Sequence, residues 1–240
     1  MAFSRRLQRP KRMDPDELTG CLAGIGMNLA AAPRPDANLE DSILAASELG
    51  MVQGDLRVLG LLCLWLELHH SCLNADRLVK LVWAHDSERL RCFWAAVVAF
   101  LPKDRRLARL QKAYLGKRLD LLPVGTEFQV ARRGEDSRFA GSCLRVPAGA
   151  LRTRQADVLG RPELLRLHPG YRNRVRFGPN WRADLWTILE RNPELSVSEA
   201  ARAAYCSFAT AWQVAQDFRL LEGQKGALGG TKKRRSLQRT

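Results

Sequence analysis

Residues 207–216 carry the side chains in this chain whose types and spacing suit a chemical task. Ser207, Phe208, Thr210, Trp212, Gln213 and Gln216 are interleaved with Ala209, Ala211, Val214 and Ala215. On a helix, Ala211, Val214, Ala215 and Phe218 would share one face, with the hydroxyls, amides and aromatics on or near the other. Such groups at the start of a helix can read base edges in a major groove. Thr210 could contact a thymine methyl and Gln213 could pair with adenine. Phe208 and Trp212 could face the same groove or instead pack on the N-terminal bundle. Arg172, Arg174, Arg176 and Arg182 precede the stretch, and Lys232, Lys233, Arg234 and Arg235 follow it. Cations placed this way would neutralise phosphates, contributing affinity without sequence information.

No comparable pattern supports catalysis. The chain has no GxxxxGK[ST], GxSxG or HExxH, and no GxGxxG opening a helix after a strand. His69-His70-Ser71-Cys72, with Cys63, His85 and Cys92 nearby, matches no zinc spacing and reads as a helix end with histidines at its C-terminal dipole. Paired acids at 14–17 and 36–41 suit helix N-termini. No catalytic residue, metal ligand or cofactor is expected.

Three short helices must position the 207–216 face. Trp181, Leu185, Ile188 and Leu189 make one apolar face, and Asn192-Pro193 stops that helix. Ser196 followed by Glu199 is a capping box that opens a second helix of small residues, Ala200, Ala201, Ala203 and Ala204. Tyr205-Cys206-Ser207 turns into the third, capped by the Ser207 hydroxyl. Two helices joined by a tight turn form a helix-turn-helix unit.

The run SVSEAARAAYCSFATAWQVAQDF, residues 196–218, resembles the helix-turn-helix of bacterial winged-helix transcription regulators. The lead-in FGPNWRA, residues 177–183, is similar to the segment before that motif in regulators of the abortive-infection antitoxin kind. The resemblance spans roughly a fifth of the chain. It implies a DNA-binding transcription regulator whose third helix docks in the major groove. A winged helix continues into a two-stranded ribbon, yet RLLEGQKGALGGTKKRRSLQRT follows here. The wing is therefore absent, rudimentary or replaced by the tail.

The chain has 240 residues, a formal net charge of +14 and a pI near 10.2, a balance that favours polyanionic partners. Its apolar runs are short of the roughly 20 residues a membrane helix needs, and no signal-peptide pattern follows the basic N-terminus. No membrane association and a cytoplasmic location are expected. Six cysteines without a CxxC pair suit reduced, buried thiols.

In chain order, 1–12 reads as a disordered basic arm. Helices are expected at 14–32, 39–49, 55–69, 74–83 and 88–101, ended by Pro102, with a basic helix at 104–114. Trp65, Trp83 and Trp94 are expected in the core. Residues 126–130 and 143–146 alternate at period two around a polar loop and predict a hairpin. Residues 151–167 read as short turns and 170–179 as a boundary. The fold class is mainly α, with an N-terminal helical bundle (13–120), a small β-hairpin and linker (121–170), a C-terminal helix-turn-helix as a degenerate winged helix (171–223), and a basic disordered tail (224–240). Double-stranded DNA is the expected partner. A protein partner on the bundle and a homodimer stay open. The alternative function is a protein-interaction module, an antitoxin or adaptor for a neighbouring enzyme.

Overall fold

A computed structural model of the chain describes the backbone of residues 13–101 and 104–235, and side chains within these as far as residue 222. The basic arm at 1–12, Pro102 and residues 236–240 lie outside the described residues. The described chain is mainly helical with one small two-stranded parallel sheet. It divides into two compact units between Arg172 and Asn173.

The first unit is built on five helices: α1 (Pro15–Gly24), α2 (Leu39–Met51), α3 (Leu56–His69), α4 (Ala75–Trp83) and α5 (Glu88–Phe100). Each starts where a side chain satisfies an orphan amide. Asp14, Asn38, Asp55, Asn74 and Ser87 accept from the backbone N–H three residues on, each cap contributing about 1 kcal/mol. In α3, every residue from Val58 to Leu66 is buried, because a helix apolar on all sides must lie at the centre. Trp65 and Trp94 are fully buried with their indole N–H groups satisfied, donating to the Ile25 carbonyl (2.8 Å) and to Ser47 Oγ (3.0 Å). Trp83 departs from expectation and is 52% exposed. It closes the last turn of α4, one step round from buried Val82, and emerges into solvent. A buried ion cluster ties α2 to α4. Arg77 Nη2 donates to both Asp41 oxygens at 2.6 Å, and Glu40 Oε1 accepts from the Asn74 amide at 2.8 Å.

Two glycines shape the end of α1, which stops well before residue 32. A Cβ on Gly24 would lie 1.9 Å from the Arg34 carbonyl oxygen, so only glycine lets that strand of chain approach. Gly26 has φ 95°, a left-handed turn that L side chains resist. Beyond it, residues 26–28 pair with 157–159 through Leu159 N–H to Gly26 O and Asn28 N–H to Asp157 O, both 2.8 Å.

The predicted hairpin does not form. Residues Thr126–Arg133 are helix α6, and strand β2 is only Leu144–Arg145, paired in parallel with β1 (Leu119–Asp120). Five residues of TEFQV satisfy both periodicities, and the neighbours decide. Gly125 (φ 82°) and Gly134 (φ 79°) bound the helix, Glu127 is in its first turn, and Arg132 and Arg133 are in its last. Thr126, Gln129 and Val130 turn inward at i, i+3 and i+4, leaving Phe128 exposed. The basic segment after Asp104 is a 3₁₀ helix, Arg105–Ala113, with Leu107 and Leu110 buried at its three-residue period. The stretch read as turns contains α7 (Arg161–Leu167), with Pro162 in its first turn, and α8 (Pro169–Phe177) follows. Residues 121–170 thus belong with the bundle in one unit, not to a separate hairpin and linker.

The second unit holds the last turns of α8 with α9 (Trp181–Arg191), α10 (Val197–Ala203) and α11 (Phe208–Arg235). Asn180 caps α9, and the Ser196–Glu199 capping box opens α10. Its core is Leu185, Trp186, Leu189, Ala200, Ala201, Ala204, Ala211, Val214, Ala215 and Phe218. Trp186 lies between Phe177 and Phe218, with ring centroids at 4.9 and 5.3 Å. No strand occurs in this unit among the described residues. The tail expected to be disordered from residue 224 instead continues the α11 backbone to Arg235. Once α11 is nucleated each further residue adds a hydrogen bond, and glycines at 226, 229 and 230 cost about 1 kcal/mol each without ending it.

Candidate nucleic-acid interface

The turn between α10 and α11 is closed by backbone bonds from Tyr205 N–H to Arg202 O (3.1 Å) and from Cys206 N–H to Ala201 O (3.0 Å). Tyr205 has φ 55°, the one non-glycine residue with positive φ among those described. Ser207 Oγ accepts from the Thr210 amide at 3.0 Å and shares a 2.7 Å hydrogen bond with the Thr210 hydroxyl. These contacts fix the start of α11, whose buried face is Ala211, Val214, Ala215 and Phe218. On its outer side Ser207, Phe208, Trp212, Gln213 and Gln216 are exposed and Thr210 is half-buried. Phe208 is 49% and Trp212 52% exposed.

The arginines separate into different roles. Arg174 is only 3% exposed, and its Nε and Nη2 both reach Asp184 Oδ1 at 2.8 Å. It is a buried cation paired within its own unit, unlike the exposed arginine that a phosphate contact calls for. Its partner was invisible to spacing because it lies on the next helix. Beside it, buried Asn173 donates from Nδ2 to Thr187 Oγ1 (3.0 Å) and Glu190 Oε2 (2.8 Å). Arg176 is exposed and stacks over Phe177. Arg182 is partly exposed over the Trp186 ring, with Nη2 2.8 Å from Asp217 Oδ2. Arg172 is exposed but falls in the first unit. Lys232, Lys233, Arg234 and Arg235 lie on the last turns of α11, and their side chains are outside the described part. Arg202 is a further exposed cation, on α10, and the only charged residue in its run of alanines, the signal that the sequence offered for it.

The charge of the second unit ahead of its basic tail is balanced. Residues 173–222 hold six arginines and six carboxylates. Five cations without an acid lie in 1–12, and six without an acid in 223–240, so the terminal segments supply eleven of the net fourteen charges. Glu190, Glu194 and Glu222 line a shallow depression beside Phe218 and Arg219, where a polyanion would be repelled. At the other end, Glu199 is held below its usual carboxylate range by the Ser196 hydroxyl and amide.

The histidine cluster has no metal-binding geometry. His69 is buried, its Nε2–H donates to the Leu159 carbonyl (3.0 Å), and its Nδ1 accepts from the Tyr171 hydroxyl (2.9 Å). Burial pulls its pKa down to about 4, so the ring is neutral with both nitrogens engaged. The His70 ring donates to the Leu66 carbonyl at the end of α3. Among the described residues no group of three or more His, Cys, Asp or Glu could hold a metal, and no helix is long and apolar enough to cross a membrane. No protein family, curated protein or solved structure matches this chain.

Proposed function

We propose that the second unit is a wingless helix-turn-helix that docks the first turns of α11 in the major groove of double-stranded DNA, as a sequence-specific, non-catalytic transcription regulator. The observation that carries this reading is the exposed hydroxyl, amide and aromatic face immediately after a capped tight turn, backed by a core in which Ala201 and Ala211 are both buried. Gln213 and Gln216 offer paired donors and acceptors to base edges, and Trp212 adds one N–H donor. Charge neutrality of 173–222 supports a division in which the two basic termini would supply attraction and α11 discrimination.

The test is binding to a selected duplex across a salt series. Gln213→Ala should cost about 1–3 kcal/mol at one base position and leave the salt slope unchanged. Deleting residues 224–240 should flatten the slope by about 0.9 per lost phosphate contact and preserve the sequence preference. Binding that ignores both sequence and salt would refute the proposal.

A second reading rests on one observation. Phe208 and Trp212 lie at i and i+4 on one side of α11, both exposed, within a stretch (173–222) whose charges balance. That surface also suits a protein partner, with the chain acting as antitoxin or adaptor for a neighbouring enzyme. Such binding would persist at high salt, because apolar contact is not screened.

A further inference from the structure

Cys92 and Cys143 lie 51 positions apart in sequence, yet their sulfurs are 3.7 Å apart. Cys92 is fully buried within α5, while Cys143 is half-buried immediately before β2. The Cys92 S–H has the Cys143 carbonyl (3.2 Å) and sulfur (3.7 Å) as acceptors, and Cys143 Sγ is 3.4 Å from the Cys92 carbonyl. The Cys143 carbonyl also accepts from the Leu119 amide at 2.9 Å, which pins this end of β2. Two thiols facing each other at this range need to close by under 2 Å to reach a disulfide bond of about 2.05 Å. The bland alternative is a pair of small apolar side chains filling the core. Their unequal settings argue for more. The hydrogen bond from Cys92 holds the Cys143 thiol below its ordinary value, with Arg118 adding to the effect. The same bond, with burial, pushes Cys92 up. One thiol is reachable and ionises more readily, and the other waits behind it.

We propose that Cys92 and Cys143 are a reversible dithiol–disulfide site, closed by exchange with a low-molecular-weight disulfide of the glutathione class. The Cys143 thiolate attacks one sulfur of that disulfide, whose S–S bond breaks and releases one thiolate. A mixed disulfide remains on Cys143. Cys92 then loses its proton, passed to the released thiolate, and attacks Cys143 Sγ, expelling the second small thiol. The protein loses two electrons and two protons, and the small disulfide becomes two thiols. Closure fastens α5 covalently to β2, across a loop of about fifty residues. In a reducing compartment the pair stays open and closes only as the disulfide-to-thiol ratio rises.

The experiment equilibrates the full chain with mixtures of reduced and oxidised glutathione, quenches with an alkylating agent, and maps peptides by mass spectrometry. The expected result is loss of two alkylatable thiols in a peptide pair joining Cys92 to Cys143, reversed by dithiothreitol. The thermal midpoint should rise by several degrees on oxidation. Cys92→Ala should trap the glutathione adduct on Cys143, and Cys143→Ser should retain every remaining thiol. Because Cys92→Ala removes a buried group, its circular dichroism is compared with wild type, and the wild-type peptide map stands independently. Six free thiols throughout the redox series, a bridge between other cysteines, or an unresolved adduct on wild-type Cys143 would overturn the proposal.

Discussion

Replacing Arg174 with methionine separates a structural cation from a phosphate-contacting one. The side chain is 2% exposed and bonded by two nitrogens to Asp184, whose side chain is itself 11% exposed. Removing one member of a buried ion pair costs about 3–5 kcal/mol, because the remaining charge keeps its desolvation cost and loses that attraction. Asp184 lies in the first turn of α9, where the helix dipole returns about 0.3–1 kcal/mol. The expected net loss is about 2–4 kcal/mol, a large share of the roughly 3–10 kcal/mol a unit of about seventy residues commands. The double variant Arg174→Met/Asp184→Leu should recover most of that loss, since an apolar pair of similar volume replaces the charges. Arg176→Met, at an exposed cation, should change stability by less than about 0.5 kcal/mol. Amide hydrogen exchange on the full chain, read at residues 185–218, measures all three. If Arg174→Met leaves exchange unchanged but weakens DNA binding at low salt, the structural assignment fails and Arg174 is a phosphate ligand after all.

Two further predictions rest on local geometry and on burial. Tyr205 holds a left-handed conformation that costs a residue with a Cβ about 1–2 kcal/mol. Tyr205→Gly should therefore raise the thermal midpoint slightly, after its extra unfolded-state entropy is counted, while Tyr205→Val should lower it; a midpoint lowered by glycine and raised by valine would mean that the turn is not strained. His69 has its pKa depressed from 6.5 to about 4, so its stabilisation is complete above pH 6.5 and is lost as pH falls toward 4, when the unfolded state takes up a proton that the folded state refuses. The loss is about 1.4 kcal/mol per pH unit, roughly 3 kcal/mol in all. Chemical denaturation between pH 7 and 4 should show it, and His69→Gln should remove that slope; an equal slope in the variant would place the titration elsewhere.

What the residues disclosed and what they hid follows from the range of the interactions. Helix starts were legible because a cap needs only a hydroxyl, amide or carboxylate and an N–H three residues on, as at Asp14, Asn74 and Ser196. The buried and exposed faces of α11 were legible from the spacing of Ala211, Val214, Ala215 and Phe218. The hairpin was misread because TEFQV is too short to separate period two from period 3.6, and the deciding glycines stand outside it. The burial of Arg174 was not legible because exposure depends on a partner supplied by another helix. Gly24 and Gly26 carried little meaning alone, because the chain that approaches them comes from Arg34 and from residues 159 and 164. Cys92 and Cys143 shared no recognisable spacing, for the same reason.

The pairing of residues 26–28 with 157–159 also bears on how the protein is made. Asn28 waits for Asp157, Gly26 for Leu159, and the Ala37 carbonyl for His168 Nε2, which donates to it at 2.9 Å across 131 positions. A ribosome adds about 5–20 residues per second, so these partners emerge on the order of ten seconds apart. Through that interval the capped helices can form locally, but the end of α1 stays unsealed and the apolar surface of α3 lacks its last cover. The first unit therefore folds late, after nearly all of it has been synthesised. Slowed translation between residues 40 and 160 would prolong the exposure of its most aggregation-prone surface.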